Sequence, residues 1–225
     1  MSPTGARASS AESAAVQIPD FWEEACRHLK RRDRVLRRLI PQFGQACLSS
    51  RGDAFTTLAR SVVGQQISVK AAQSVWDRLA ALCGCQGAAL DPLRVLARDI
   101  ASLRSAGLSA RKAEYILDLA GHFVEQRVHP AQWAAMEDEA IIRELVAIRG
   151  VGRWTAEMFL IFHLLRPDVL PLDDLGLIKG ISVNYFSGEP VTRAEAREVA
   201  DAWAPYRTVA TWYLWRSLDP VPVDY

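Results

Sequence analysis

The sequence predicts an all-α fold of about ten helices. Apolar residues recur at helix-compatible spacings from Phe21 to Leu218, and no stretch alternates with period two over more than a few residues. Glycines, prolines and short polar capping residues divide the chain into successive helices without an internal repeat.

Residues 1–17 are rich in Ser and Ala, lack aromatics and predict a disordered tail. Phe21, Cys26, Leu29, Val35, Leu36, Leu39 and Ile40, with Arg and Lys between them, predict one basic amphipathic helix or two short ones, stopped by Pro41. Phe55 to Leu82 continues the helical pattern, with Gly64 as an interior break. Asp91-Pro92 opens a short helix, and Gly107-Leu108-Ser109 turns into a helix from Ala110 to about Phe123, with Ser109 as its cap. Glu137 to Ile148 ends at Gly150-Val151-Gly152, and a new helix starts at Arg153 and runs to Leu165, before Pro167. Asp173-Asp174 precedes a helix from Leu175 to about Val183. Thr192 and Glu195 form a capping-box signature for a helix to Trp203, and Pro205 separates it from a last helix, Tyr206 to Leu218.

Composition narrows the function. The 225 residues carry 27 Lys plus Arg against 26 Asp plus Glu, a net charge of +1, which excludes a sequence-independent polyanion sponge and makes any nucleic-acid contact local. The longest strongly apolar run, Met158 to Leu165, contains His163 and falls far below the roughly 20 residues of a membrane span. The first residues lack the apolar core of a secretory signal, so the expected location is the cytoplasm, at the bacterial nucleoid. Cys26, Cys47, Cys83 and Cys85 have no His partner at finger spacing and predict reduced, mostly buried thiols, with Cys83-x-Cys85 a minor candidate for a soft metal.

The Gly150-Val151-Gly152 hairpin is the first candidate site. Glycine lets the backbone turn sharply and approach a partner closely, and the amides that open the next helix lie at the positive end of its dipole. Such a turn can hold a phosphate without reading sequence, although a glycine C-cap followed by an ordinary helix has the same local pattern. Asp173 or Asp174 is equally an ordinary N-cap on spacing alone.

The hairpin segment Gly150-Val151-Gly152-Arg153-Trp154-Thr155-Ala156, followed by Leu170-Pro171-Leu172-Asp173-Asp174-Leu175-Gly176-Leu177, resembles the helix-hairpin-helix DNA glycosylases. Val63 to Val69 and Leu108 to Ala113 extend the likeness over most of the chain, towards the alkylation-repair branch typified by DNA-3-methyladenine glycosylase II, in a compact form without an added β-domain. The resemblance implies a two-lobed helical fold: residues 18–51 with 168–225 in the lobe carrying the catalytic aspartate, and 52–167 in the lobe carrying the hairpin. It implies excision of alkylated purines, of the 3-methyladenine and 7-methylguanine type, from double-stranded DNA after base flipping, by a monomer. Asp174 takes the catalytic position, and Asp173, close enough to repel it, caps or tunes. Trp154 stands where bifunctional members carry the Schiff-base lysine, which implies a monofunctional enzyme that leaves an abasic site. Trp154, Trp215 and Met158 are implied as pocket residues, Met158 standing where the branch has a further aromatic. Gly150, Val151, Gly152, Arg153, Thr155 and Lys112 are implied as DNA contacts, with Gln66 as the wedge that fills the gap left by the flipped base. No cofactor is required, but a structural Na⁺ or K⁺ on the carbonyls of Val146, Ile148 and Val151 is implied. A non-catalytic DNA-binding module, a glycosylase for oxidised or deaminated bases, and a helical scaffold stand as alternatives.

Overall fold

A computed structural model of the chain describes residues 19–50 and 52–218, so the N-terminal segment read as a disordered tail lies outside it. Among the described residues there are twelve α-helices and three 3-10 turns, with no β-structure beyond an isolated bridge at Ser50.

The basic N-terminal run is two helices, α1 (Trp22–Arg32) and α2 (Arg34–Leu39). Asp33 separates them by leaving the helical region, at φ −133° and ψ 126°, and its Oδ1 accepts the amides of Val35 (2.7 Å) and Leu36 (2.9 Å). Pro41 does not end the run at once: Ile40–Phe43 continue as a 3-10 turn. The break at Gly64 divides α3 (Ala54–Gly64) from α4 (Val69–Leu82), capped by Asp53 and Ser68 respectively. After α5 (Pro92–Leu96) comes a helix that the sequence pattern did not separate, α6 (Ile100–Ser105), which forms because the Asp99 carboxylate accepts the Ser102 amide at 2.7 Å. Ser109 caps α7 (Ala110–Val124).

The hairpin joins α8 (Asp138–Val146) to α9 (Arg153–Phe162). Helix α9 stops three residues before the expected Leu165: Leu165 adopts φ +53°, and the amide of Arg166 reaches back to the Leu160 carbonyl (2.9 Å), which closes the helix end without a glycine. Asp174 opens α10 (Leu175–Tyr185), and the Thr192–Glu195 capping box opens α11 (Arg193–Ala200), which tightens into a 3-10 turn at Asp201–Trp203. The last helix is α12 (Arg207–Leu218).

Helices α3 to α9 pack among themselves, and α1, α2, α10, α11 and α12 form a second group. The connection from α9 to α10 is held at both ends. The Arg166 guanidinium donates to the carbonyls of Trp133 and Met136 and pairs with Asp138 (3.2 Å), while Asp168 takes a two-pronged bond from Arg207 at 2.7 and 2.6 Å. Five of the seven tryptophans, Trp22, Trp76, Trp133, Trp203 and Trp212, are buried in the apolar cores. The two that are not are Trp154 and Trp215. Cys83 and Cys85 are buried and Cys26 and Cys47 half-buried, all as free thiols; no group of His, Cys, Asp or Glu among the described residues could hold a metal.

Candidate active site

Asp174 is the N-cap of α10, and it does more than cap. Its Oδ1 accepts the Leu177 amide at 2.6 Å and the indole N–H of Trp215 at 2.7 Å, while its Oδ2 accepts the indole N–H of Trp154 at 2.9 Å. Three neutral donors from three helices therefore fix the carboxylate, which stays half-buried and not sealed. Asp173 does not share this cage: it is exposed and forms an ion pair with Arg193 at 2.6 Å. That pairing turns the neighbouring charge away from Asp174 and compensates it.

The indole of Trp215 reaches Asp174 because α10 has no side chain in the way. A Cβ on Gly176 would lie 3.0 Å from Asp174 Oδ1 and 3.1 Å from the Trp215 ring, and one on Gly180 would lie 3.0 Å from Leu214 Cβ. These two glycines, one helical turn apart, let α12 approach α10 closely enough for the hydrogen bond. Trp215 is also stacked on Phe162, with centroids 5.6 Å apart and ring planes 12° apart. Trp154, Met158 and Phe162 follow one another at four-residue intervals on one face of α9. Met158 is only 8% exposed and forms the floor of this face, whereas Trp154 is 38% exposed.

The hairpin is a built turn. Gly150 lies at φ +85°, and a Cβ there would collide with the Tyr115 ring at 2.2 Å. Gly152 is the N-cap of α9 and has no side chain to satisfy the first amides of the helix, so the turn presents its N–H groups at the dipole's positive end. Thr155, 6% exposed, can contribute only through its main chain. Val151 is buried and its amide already donates to the Ile148 carbonyl at 3.1 Å.

The loop of Gln66 is tied to this hairpin. The Gln65 side-chain amide donates to the Gly150 carbonyl (2.9 Å), and the Lys112 ammonium donates to the carbonyls of Val63 and Gln65, both at 2.7 Å. Gln66 projects from the loop at φ +57°, exposed, beside Ile67, which is exposed as well.

Two expected phosphate contacts take a different form. Lys112 is half-buried, burial lowers its pKa, and it serves as the brace of the Gln66 loop. Arg153 is held by both oxygens of Glu139 and by Glu157 (3.0 Å), and the bonds from Glu139 raise its pKa. The physical reason is long-range: each cation finds carbonyls or carboxylates on a neighbouring helix that the local sequence does not announce. The exposed Arg111, next to Lys112 at the start of α7, makes no ion pair within 4 Å among the described residues and was not singled out by sequence. Phe162, Gly176 and Arg193 are further residues that sequence reasoning missed. Only the i, i+4, i+8 spacing from Trp154 could have signalled Phe162.

A glycine hairpin feeding one helix start, with a carboxylate caged at the next, is a helix-hairpin-helix arrangement that sets an anion-binding turn beside an acid. The sequence model of the family described as HhH-GPD superfamily base excision DNA repair protein matches residues 59–205, and the chain belongs to that family. It is 30% identical to DNA-3-methyladenine glycosylase 1 of Schizosaccharomyces pombe over 194 residues, covering 84% of this chain and 85% of the relative. Among solved structures, a DNA-3-methyladenine glycosidase from Bacillus halodurans superposes with a TM-score of 0.82 at 34% identity, covering 91% of this chain and 93% of that one. The S. pombe 3-methyladenine DNA glycosylase in complex with abasic DNA gives a TM-score of 0.73 at 29% identity, covering 89% of this chain and all of that one.

Proposed function

We propose that the chain is a monofunctional DNA glycosylase that removes alkylated purines from duplex DNA by hydrolysing the N-glycosidic bond in base excision repair. The observation that carries this reading is the cage around Asp174. Breaking the glycosidic bond builds positive charge on the deoxyribose, and a fixed carboxylate beside it stabilises the transition state more than the ground state. The indole N–H groups at 2.7 and 2.9 Å hold the anion, and no cation among the described residues pairs with it to cancel its field. The same carboxylate can orient or deprotonate the attacking water.

The family membership and the names of the relatives support base excision as the reaction class. Alkylated purines are electron-poor, and the half-open indoles of Trp154 and Trp215 are suited to them: a cation–π contact is worth about 0.5–2 kcal/mol. Trp154 directly precedes Thr155-Ala156 and cannot form a Schiff base, so the strand is left intact. Backbone amides of the Gly150–Gly152 turn, other than the Val151 amide already bonded to Ile148, grip a phosphate, with Arg111 as an added cation, and Gln66 or Ile67 enters the stack vacated by the flipped base. The last turn of α8 ends at Val146, and its main-chain oxygens, with those of Ile148 and Val151, are hard, uncharged donors of the kind Na⁺ or K⁺ takes. Such an ion would add positive charge beside the phosphate.

Asp174→Asn keeps the shape but removes the charge and sets an N–H against that of Trp154. Release of free base from methylated duplex should fall by at least about a hundredfold, while binding to abasic-site DNA persists. Full base release by this variant would remove Asp174 from the chemistry. Borohydride treatment of the wild type with the same duplex should trap no covalent adduct, and a robust adduct would contradict the monofunctional assignment.

A further inference from the structure

The strongest charge asymmetry in the molecule lies away from the hairpin. Residues 27–38 contain Arg27, Lys30, Arg31, Arg32, Arg34, Arg37 and Arg38 against a single acid, Asp33. That is a net +6 in a chain whose total is +1, so the remaining 213 residues carry a net −5.

This excess is not neutralised by ion pairs among the described residues. Asp33 is 8% exposed and faces inward: its oxygens accept the amides of Val35 and Leu36, the Tyr185 hydroxyl (2.8 Å) and the Trp203 indole (3.1 Å). None of the seven cations has a carboxylate within 4 Å among the described residues, and all but the half-buried Lys30 are exposed. Arg27, Lys30, Arg31 and Arg37 line one depression of about 370 Å³, over which Arg37 Nε donates to the Lys30 carbonyl at 2.8 Å. Like charges at i, i+3 and i, i+4 on α1 repel and weaken a helix.

Around the hairpin most cations are already engaged, Arg111 excepted. Arg153 is paired to Glu139 and Glu157, Arg149 lies 3.4 Å from Asp118 and 4.0 Å from Glu114, and Lys112 is tied to carbonyls. The turn positions a phosphate through neutral amides with Arg111 beside it, so less of the counterion release that drives duplex affinity arises there than at a surface of seven unpaired cations.

We infer that the α1–α2 basic patch is a second phosphodiester-binding surface, which holds the DNA backbone independently of the hairpin and supplies most of the salt-dependent affinity. The inference rests on the DNA-binding reading of the chain but not on its chemistry, so it is tested with undamaged duplex. Binding of wild type, of Arg27→Gln/Arg31→Gln/Arg37→Gln and of the matching triple lysine variant is measured against salt. Each neutralised phosphate contributes about 0.9 to the slope of log K on log salt. The glutamine variant should therefore lose about two to three from the slope and bind at least roughly tenfold more weakly near 0.1 M salt. The lysine variant, which also loses the Arg37 side-chain bond, should keep the wild-type slope. A glutamine variant with unchanged slope and affinity would overturn the inference, as would a lysine variant that loses as much. Patch-dependent sedimentation with phosphatidylserine vesicles that excess duplex does not displace would overturn it in favour of a lipid surface. Absence of base release with the predicted change in slope would sink the enzymatic reading alone.

Discussion

Asp174 performs two tasks with one side chain. As an N-cap it satisfies the Leu177 amide, and as an anion it gathers the Trp154 and Trp215 indoles. Caps of this kind are worth about 1 kcal/mol, so the residue is fixed by folding before any substrate arrives. Gly176 is the less visible half of the arrangement. Gly176→Ala would bring a methyl group to 3.0 Å from Asp174 Oδ1 and 3.1 Å from Trp215, so the ring or the carboxylate must shift by a few tenths of an ångström. Misplacements of about 1 Å cost on the order of a hundredfold in rate. Base release by Gly176→Ala should fall roughly tenfold with no loss of thermal stability, since alanine favours the helix. Single-turnover rates and a melt on one preparation would show it. Asp174 stands out in the sequence through its place after Leu170-Pro171-Leu172 in a segment that carries the family resemblance, but the role of Gly176 does not: a glycine in an apolar helix looks the same whether or not a tryptophan 39 residues away needs the space.

At the scale of elements, capping chemistry was the most readable feature. Ser109 before α7, Thr192 with Glu195 before α11, and the glycine hairpin before α9 stand where local rules place them. Helix ends set by tertiary context were not readable, as with the stop at Phe162, which relies on a positive-φ leucine, and the turn Ile40–Phe43, which carries the chain past Pro41. The hairpin itself can be tested by Gly150→Ala. The left-handed backbone and the clash with Tyr115 should cost about 1–3 kcal/mol in urea unfolding and weaken binding to abasic DNA at the same time. Helix α8 makes a separate statement about pH. Burial pushes the Glu144 carboxyl up, but bonds from the Trp133 indole (2.8 Å) and from the His129 ring (2.7 Å) and amide (3.2 Å) more than offset this and leave it below the usual glutamate value. A folded-state pKa below the unfolded one means that the stabilisation is present above the ordinary glutamate range, about 4.3, and is lost as pH falls through the lowered value. Glu144→Leu leaves the buried Trp133 N–H unpaired and should cost about 1–3 kcal/mol at pH 7, the gap to wild type narrowing towards pH 3 in parallel urea titrations.

Across the whole molecule, the proposed function divides stability from chemistry between the two carboxylates that open α2 and α10. Asp33 and Asp174 are both N-caps, and both gather an indole N–H. Asp33 is buried beneath Tyr185 and Trp203 and joins α2 to α10 and to the turn before α12; burial and the facing carboxylate push the Tyr185 hydroxyl far above its usual pKa, so it remains a donor. Asp174 opens to solvent beside the exposed Trp154. Removing Asp33 strands four buried or half-buried donors, each costing about 1–3 kcal/mol where water does not reach it, partly relieved by relaxation. Asp33→Ala should therefore lose about 3 kcal/mol or more in urea unfolding, and Asp33→Asn less, because the amide oxygen still caps α2 while the indole of Trp203, a donor only, loses its acceptor. At a temperature where each variant is folded, single-turnover base release by Asp33→Asn should match wild type within about twofold. Asp174→Asn should show the reverse pattern, with a melt close to wild type and base release lower by at least about a hundredfold. If Asp33→Asn slowed the chemistry as severely as Asp174→Asn while remaining folded, the separation of the two carboxylates into a structural and a catalytic anion would fail.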